Sequence, residues 1–250
     1  TVILGLKMKP LKMSIGIRPA RAMFRFSTLG GALIDEILAY TEKSKHSRKI
    51  FKHVEQDGDK SHFRLVGDSC SLFVGTHDVQ YSVDHYEAKS ALEINTEVDR
   101  FISLFLAINS SLKMRDIRRI GMVCEYRTPS KTALPSKDLL EELTKLEPIG
   151  YPAKFQLQFE HRHPITNATG VPDFRTDDFW NIIESYYDGE IDAYHSATRQ
   201  INLMLDVQRY YNPLLEDKFD SAIRSLAEKY NKQFGIFAEK AKSLGVVDGR

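Results

Sequence analysis

Hydrophobic and polar positions alternate first over residues 21–27, where Ala22, Phe24 and Phe26 share one side against Arg21 and Arg25. That period of two predicts a strand. Leu33, Ile34, Ile37, Leu38 and Thr41 then recur at helical spacing, so a helix should follow directly. "KIFKHVEQ" and "SHFRLVG" flank the turn sequence "DGDK", a hairpin signal. "SLFVGTHDVQYSVDHYE" continues as one broken strand or two short ones. Asn95 or Thr96 is placed to cap a helix whose stripe is Val98, Phe101, Ile102, Phe105, Ile108 and Leu112. The strand "IRRIGMVCEYR" closes a β-α-β-β-(β)-α-β order, a split βαβ pattern of the ferredoxin-like kind.

The second half repeats the theme loosely. Residues 128–137, "TPSKTALPSK", read as a linker, and Ser136 can cap a short helix over "KDLLEELTKL". Strands are expected over 154–161, 178–187 and 199–210, with 164–176 a long loop. In the last strand Ile201, Leu203, Leu205 and Val207 alternate with Asn202, Met204, Asp206 and Gln208. Asn212-Pro213 predicts a helix start. From Phe219 the apolar positions Ile223, Leu226, Tyr230, Phe234, Phe237, Ala241 and Leu244 follow in steps of three and four, and Gly245 ends the run. A helix over 213–244 would span roughly 48 Å, longer than one sheet needs, so its excess is a candidate surface for a partner or a second copy. The fold expectation is therefore α+β. Two ferredoxin-like halves, 1–127 and 128–250, have antiparallel sheets backed by helices, joined side by side or packed as one domain.

Composition narrows the function classes. In 250 residues, 42% are hydrophobic, including 14 Phe and 11 Tyr, which is ample for a core and excludes disordered and fibrous classes. Thirty-five basic residues against 34 acidic ones give a formal charge of +1, and hence no general attraction to nucleic acid or anionic membrane. Cys70 and Cys124 form no CxxC pattern, so neither a disulfide framework nor a zinc cage is indicated. No apolar run approaches the ~18 residues of a membrane span, and the N-terminal stretch is too broken by lysine for a signal peptide. A cytoplasmic protein with no cofactor is expected.

Three patterns invite chemistry. Gly67-Asp68-Ser69 with Asp192-x-x-His195 has the residue types of a GDSL-type hydrolase, a serine activated by a histidine that an aspartate orients. The strand-like sequence after Ser69 and the missing βα repeats argue against it. Glu160, His161, Arg162 and His163 end the strand "FQLQFEHRHP". His161 and His163, two residues apart on one face, are spaced to share a metal. Glu160 points the other way, so a third ligand must come from elsewhere, with His77, Asp78, Asp84 and His85 the candidates. Finally, Lys113, Arg115, Arg118 and Arg119 concentrate charge between a helix and a strand, a candidate phosphate or RNA-backbone contact that Asp116 interrupts.

Residues 94–127 and 201–234 together resemble a family of sporadically distributed, uncharacterised bacterial proteins of similar length. The shared arrangement is a mid-chain helix feeding a strand, late strands ending in a hydrophobic-Asp-Val strand, and a closing amphipathic helix. Members often carry Leu-His-Asp where this chain has Leu215-Glu216-Asp217, so any role of that histidine does not transfer. The resemblance implies a scattered accessory-gene protein with no established activity. The leading expectation is a non-enzymatic binding or interaction protein, a component of an accessory or defence-type operon, using its sheet face or last helix and associating with itself or a partner. A metal-dependent or hydrolytic enzyme centred on His161 and His163, and a nucleic-acid binder through 113–119, are the alternatives.

Overall fold

A computed structural model describes residues 9–43, 50–56, 61–84, 93–129, 135–147, 150, 154–165, 170–188 and 200–243. The fold is α+β. Nine strands, β1 (Lys9–Pro19), β2 (His53–Gln56), β3 (His62–Val66), β4 (Cys70–Gly75), β5 (Val79–Asp84), β6 (Ile117–Pro129), β7 (Gln156–Pro164), β8 (Phe179–Asp188) and β9 (Gln200–Leu215), form one sheet. Its order is β2-β3-β4-β5-β1-β6-β9-β8-β7, and every neighbouring pair is antiparallel. Four helices accompany it among the described residues: α1 (Arg25–Lys43), α2 (Ile94–Leu112), α3 (Pro135–Thr144) and α4 (Phe219–Ser243). β1 and β2 run in the same direction with β3, β4 and β5 between them, and α1 links the two. β7, β8 and β9 form a meander whose last strand lies beside β6. β6 is the seam of the sheet, paired to β1 on one edge and β9 on the other, and it runs through the 127/128 boundary.

Alternation decides which face is buried. Met13, Ile15 and Ile17 of β1, Val79, Tyr81 and Val83 of β5, Ile120, Met122 and Cys124 of β6, and Leu203, Leu205 and Val207 of β9 are all at most 2% exposed. They join residues of all four helices in one hydrophobic cluster. The helices therefore share one face of the sheet. On α2, Phe105 meets Phe101 at 6.0 Å and Phe219 of α4 edge-on at 5.5 Å, tying two helices together over the strands. α4 rests on β6, β9 and α2, burying Phe219 through Ala241 at helical spacing. Its apolar stripe is thus spent on the sheet rather than projected away from it.

Three expectations need correction. Residues 21–27 are not a strand; the first strand is β1, and Arg25 already opens α1. Phe24 is 81% exposed, whereas Phe26 enters the helix and stacks on Phe63 at 5.6 Å, so the two do not share a face. Asn212-Pro213 does not start the last helix. β9 continues through it, and Leu215 still pairs with Ile117 beyond an irregularity in register. A proline is tolerated there because the ladder is already interrupted. Lys218, with a left-handed φ of 54°, makes the break, and α4 begins at Phe219. Neither Asn95 nor Thr96 caps α2; Glu93 does, without a side-chain cap bond. The "DGDK" turn and the helix end at Gly245 lie outside the described residues.

Candidate functional site

The sequence-derived candidates are dispersed by the fold. β7 is an end strand of the sheet, and its period of two splits the polar cluster. His161 and His163 stand opposite Ile182 and Trp180 on the helix side, while Glu160 and Arg162 take the other face. Arg162 donates to Glu160 at 2.8 Å and to the Pro172 carbonyl at 2.7 Å, and its guanidinium lies 3.6 Å from the Phe174 ring centre. His163 is exposed, yet desolvation first, then Lys229 and His161, press its pKa below the usual value. That is an environment against a second positive charge. Among the described residues no group of three His, Cys, Asp or Glu side chains comes together to hold a metal ion. His85, one proposed contributor, lies outside the described residues.

The basic run is divided as well. Lys113 is the left-handed cap of α2, its N–H on the Asn109 carbonyl, and like Arg115 it is exposed. Arg118 is a staple: it donates to the carbonyls of Phe174 (3.0 Å), Asp177 (3.1 Å) and Tyr211. Together with Arg162 it pins the segment around Phe174 onto the sheet, where Phe174, Phe179 and Tyr210 pack as an aromatic group. Arg119 lies in the row of Arg18 and Tyr210 on the helix-free side. Gly67-Asp68-Ser69 is the turn between β3 and β4, with the Gly67 N–H bonded to the Cys70 carbonyl at 2.8 Å, and a strand follows it. Asp192 and His195 lie outside the described residues.

What the fold does assemble is a polar trough on the helix-free face. Cross-strand register sets its rows. One runs Gln80, Gly16, Gly121, Gln208, Asn181. The next runs Ser82, Ser14, Val123, Asp206, Ile183. On the other side Arg18 faces Arg119, which faces Tyr210. Gly16 and Gly121 are direct partners, so two strands present bare backbone side by side. A glycine inside a strand marks a place where a ligand or another chain can approach the backbone closely. A cavity of about 160 Å³ lies over them, lined among others by Ser14, Arg18, Gln80, Arg119, Asp206 and Gln208. A more open hollow of about 720 Å³ adjoins it across Gln80, with Lys12, Arg64, Ser71 and Ser82 in its wall.

The chemistry of the trough centres on Asp206. Burial pushes its carboxyl up to about 6 from an ordinary 3.8, against the smaller opposing effects of Gln208 and Arg119. Gln208 Nε2 donates to Asp206 Oδ2 at 2.6 Å, Tyr210 Oη donates to Gln208 Oε1 at 3.1 Å, and Arg119 reaches Tyr210 Oη at 3.4 Å. Acid, amide and phenol are thus strung along β9 at alternate positions, with the Arg119 guanidinium reaching across from β6. The Ser14 and Ser82 hydroxyls share a hydrogen bond of 2.8 Å in the Asp206 row. Arg18 closes the far end, already engaged by both oxygens of Asp78 at 2.7 and 3.0 Å. Asn181, 1% exposed, keeps a side-chain oxygen without a hydrogen-bond partner in the next strand.

Of these residues the sequence points only to Arg119, as a phosphate contact, and to Asp78, as a metal ligand, and in neither case to this trough. Asp206 and Gln208 stand in the polar half of an alternating strand, where solvated positions are the ordinary reading. The available signal was the pair of in-strand glycines, whose adjacency only the register reveals. The class defined by this architecture is an α+β protein with helices on one side of a large antiparallel sheet and a polar hollow on the other. No protein-family model matches the chain, and no curated protein matches it as a relative. No helix among the described residues is long and apolar enough to cross a membrane.

Proposed function

We propose that the chain is a non-enzymatic binding protein that takes a small polar ligand in the trough over Gly16 and Gly121. The observation that carries this is Asp206, a partly buried acid pushed toward neutrality and lining a cavity on the sheet face that no helix among the described residues covers. A concave site with a few convergent polar groups and a perturbed acid is the general form of a ligand site. The sheet face is preferred to the last helix because α4 has its apolar stripe buried. The first half fits a ferredoxin-like unit enlarged by the β3–β4 pair, and a role as an accessory-operon component follows the family resemblance. A second reading, turnover with Asp206 as general acid–base, is favoured by its pKa near the working range of such groups. Product formation from the bound ligand would separate the two.

The test is a thermal-shift screen of small polar metabolites on wild type and on Gly121→Val. A side chain at 121 enters the trough, its Cβ 3.3 Å from Gln208 Cγ, the flexible part of a side chain. A ligand present at a hundred times its Kd adds about 2.7 kcal/mol, which for a chain of this size raises Tm by roughly 5–10 °C. The expected result is such a rise in wild type and its loss in Gly121→Val. Equal shifts in both proteins would move the site away from the trough.

A further inference from the structure

Several partly buried charged side chains in this fold find charged partners within the chain, and half-buried Arg118 is held by three backbone carbonyls. Asp78 meets Arg18, Glu97 meets Arg100, Glu160 meets Arg162, Asp178 meets Arg209 and Glu184 meets Lys240. Asp206 and Arg119 depart from this pattern. Among the described residues Asp206 takes its hydrogen bond from a neutral carboxamide, and Arg119 makes only a long contact, 3.4 Å, to the Tyr210 hydroxyl, its guanidinium 5.9 Å from that ring. Both line the same cavity, yet they do not meet. Gln208 and Tyr210 stand between them, joined to each other and to both charges. The other charged groups lining that cavity, Arg18 and Asp78, cancel each other in a two-point pair. What remains facing the bare backbone of Gly16 and Gly121 is one negative and one positive group held apart by neutral spacers.

We propose that the trough selects a small zwitterion, with an ammonium group on the Asp206 carboxylate and an anionic group on the Arg119 guanidinium. The inference rests on the trough being a ligand site. Asp206 and Tyr210 are four residues apart on one strand, about 13 Å at the usual rise, and Arg119 lies across from Tyr210. Side chains close part of that span, so the ligand carries its two charges several bonds apart rather than on one carbon. The glycine floor gives the connecting atoms room against the peptide planes, and Gln80 and Gln208 border it with amides. An ammonium at Asp206 supplies the cation that its burial otherwise lacks, and an anion at Arg119 does the same for the guanidinium. A singly charged ligand would leave one of the two unmet.

The experiment uses three six-carbon probes on the full chain by calorimetric titration at pH 8: 6-aminohexanoate, hexylamine and hexanoate. The expected result is binding of 6-aminohexanoate at least tenfold tighter than of either singly charged probe. Asp206→Asn and Arg119→Gln should each weaken 6-aminohexanoate at least tenfold, and lowering the pH to 5, where Asp206 takes up a proton, should weaken it in wild type but not in Asp206→Asn. Circular dichroism of both variants checks that they fold, and Arg119→Lys, which keeps the charge, should retain most of the affinity. Equal affinities for the three probes, hexanoate or hexylamine binding as well as the zwitterion, no binding of any probe, or variants indistinguishable from wild type would each overturn the zwitterion assignment. The binding role itself fails only if, in addition, filling the trough with Gly121→Val leaves every stabilising metabolite unaffected.

Discussion

Arg100→Met should lower the unfolding free energy by about 3 kcal/mol, because removing the half-buried cation strands the buried Glu97 carboxylate. Glu97 lies in α2, 8% exposed, and receives the Arg100 guanidinium at 2.7 and 2.8 Å and the Tyr81 hydroxyl at 2.8 Å. Arg100 also donates to the Tyr81 oxygen at 3.2 Å, and burial raises the phenol well above its ordinary pKa, keeping it neutral. The three groups lock the start of α2 onto β5. Methionine keeps the apolar length of the arginine stem and removes only the charge. The carboxylate then stays under the helix with the phenol as its one strong donor. Glu97→Leu combined with Arg100→Met should recover most of the loss, since replacing both partners removes the desolvation cost with the attraction. Urea denaturation of the single and double variants checks this. A single variant within about 0.5 kcal/mol of wild type would mean that the pair behaves as a surface pair.

Asp206→Asn is expected to stabilise the protein, and only above acid pH. A carboxyl raised from 3.8 in the unfolded chain to about 6 in the folded one disfavours its ionised form in the fold. Its contribution to stability is fully present below pH 3.8, declines between there and 6, and is gone at higher pH. Two pKa units correspond to about 3 kcal/mol. Asparagine holds the neutral state at all pH values and its oxygen still accepts from Gln208. Denaturation midpoints of wild type and variant should coincide near pH 3.5 and diverge by about 2–3 kcal/mol at pH 8. An acid that costs the fold this much, on the side away from the core, sits where a ligand rather than the chain would meet it.

Much of the architecture was legible because burial imposes period. The stripe from Val98 to Leu112, the alternation of Ile201 to Val207 and the run from Phe219 to Ala241 each fill one side of an element, and each became the element expected. The misplaced pieces share a cause. Ala22, Phe24 and Phe26 alternate by coincidence, whereas the equally regular Met13, Ile15 and Ile17 of β1 are obscured by the lysines and prolines around them. Asn212-Pro213 has the residues of a helix start but sits where strand pairing continues. Local chemistry lost to tertiary pairing at both places.

The site was less legible for a different reason. Glu160-His161-Arg162-His163 is conspicuous because charges adjoin in sequence, yet strand geometry sends neighbours to opposite faces. Gly16, Gly121 and Asp206 are inconspicuous, and Arg119 stands out only as part of a basic run, because they come from β1, β6 and β9 and meet only through the sheet order β1-β6-β9. No spacing along one segment encodes that meeting. Arg118 and Arg119 show the same limit within two residues: one staples a loop and the other faces the trough.

The most direct test of the account is the titration of Asp206 itself, followed through its carboxyl carbon by NMR in the full chain and assigned by its absence in Asp206→Asn. An inflection near pH 6 is predicted. An inflection near the ordinary aspartate value of 3.8 would show a carboxylate freely solvated on the sheet face, and would contradict the trough as the functional site.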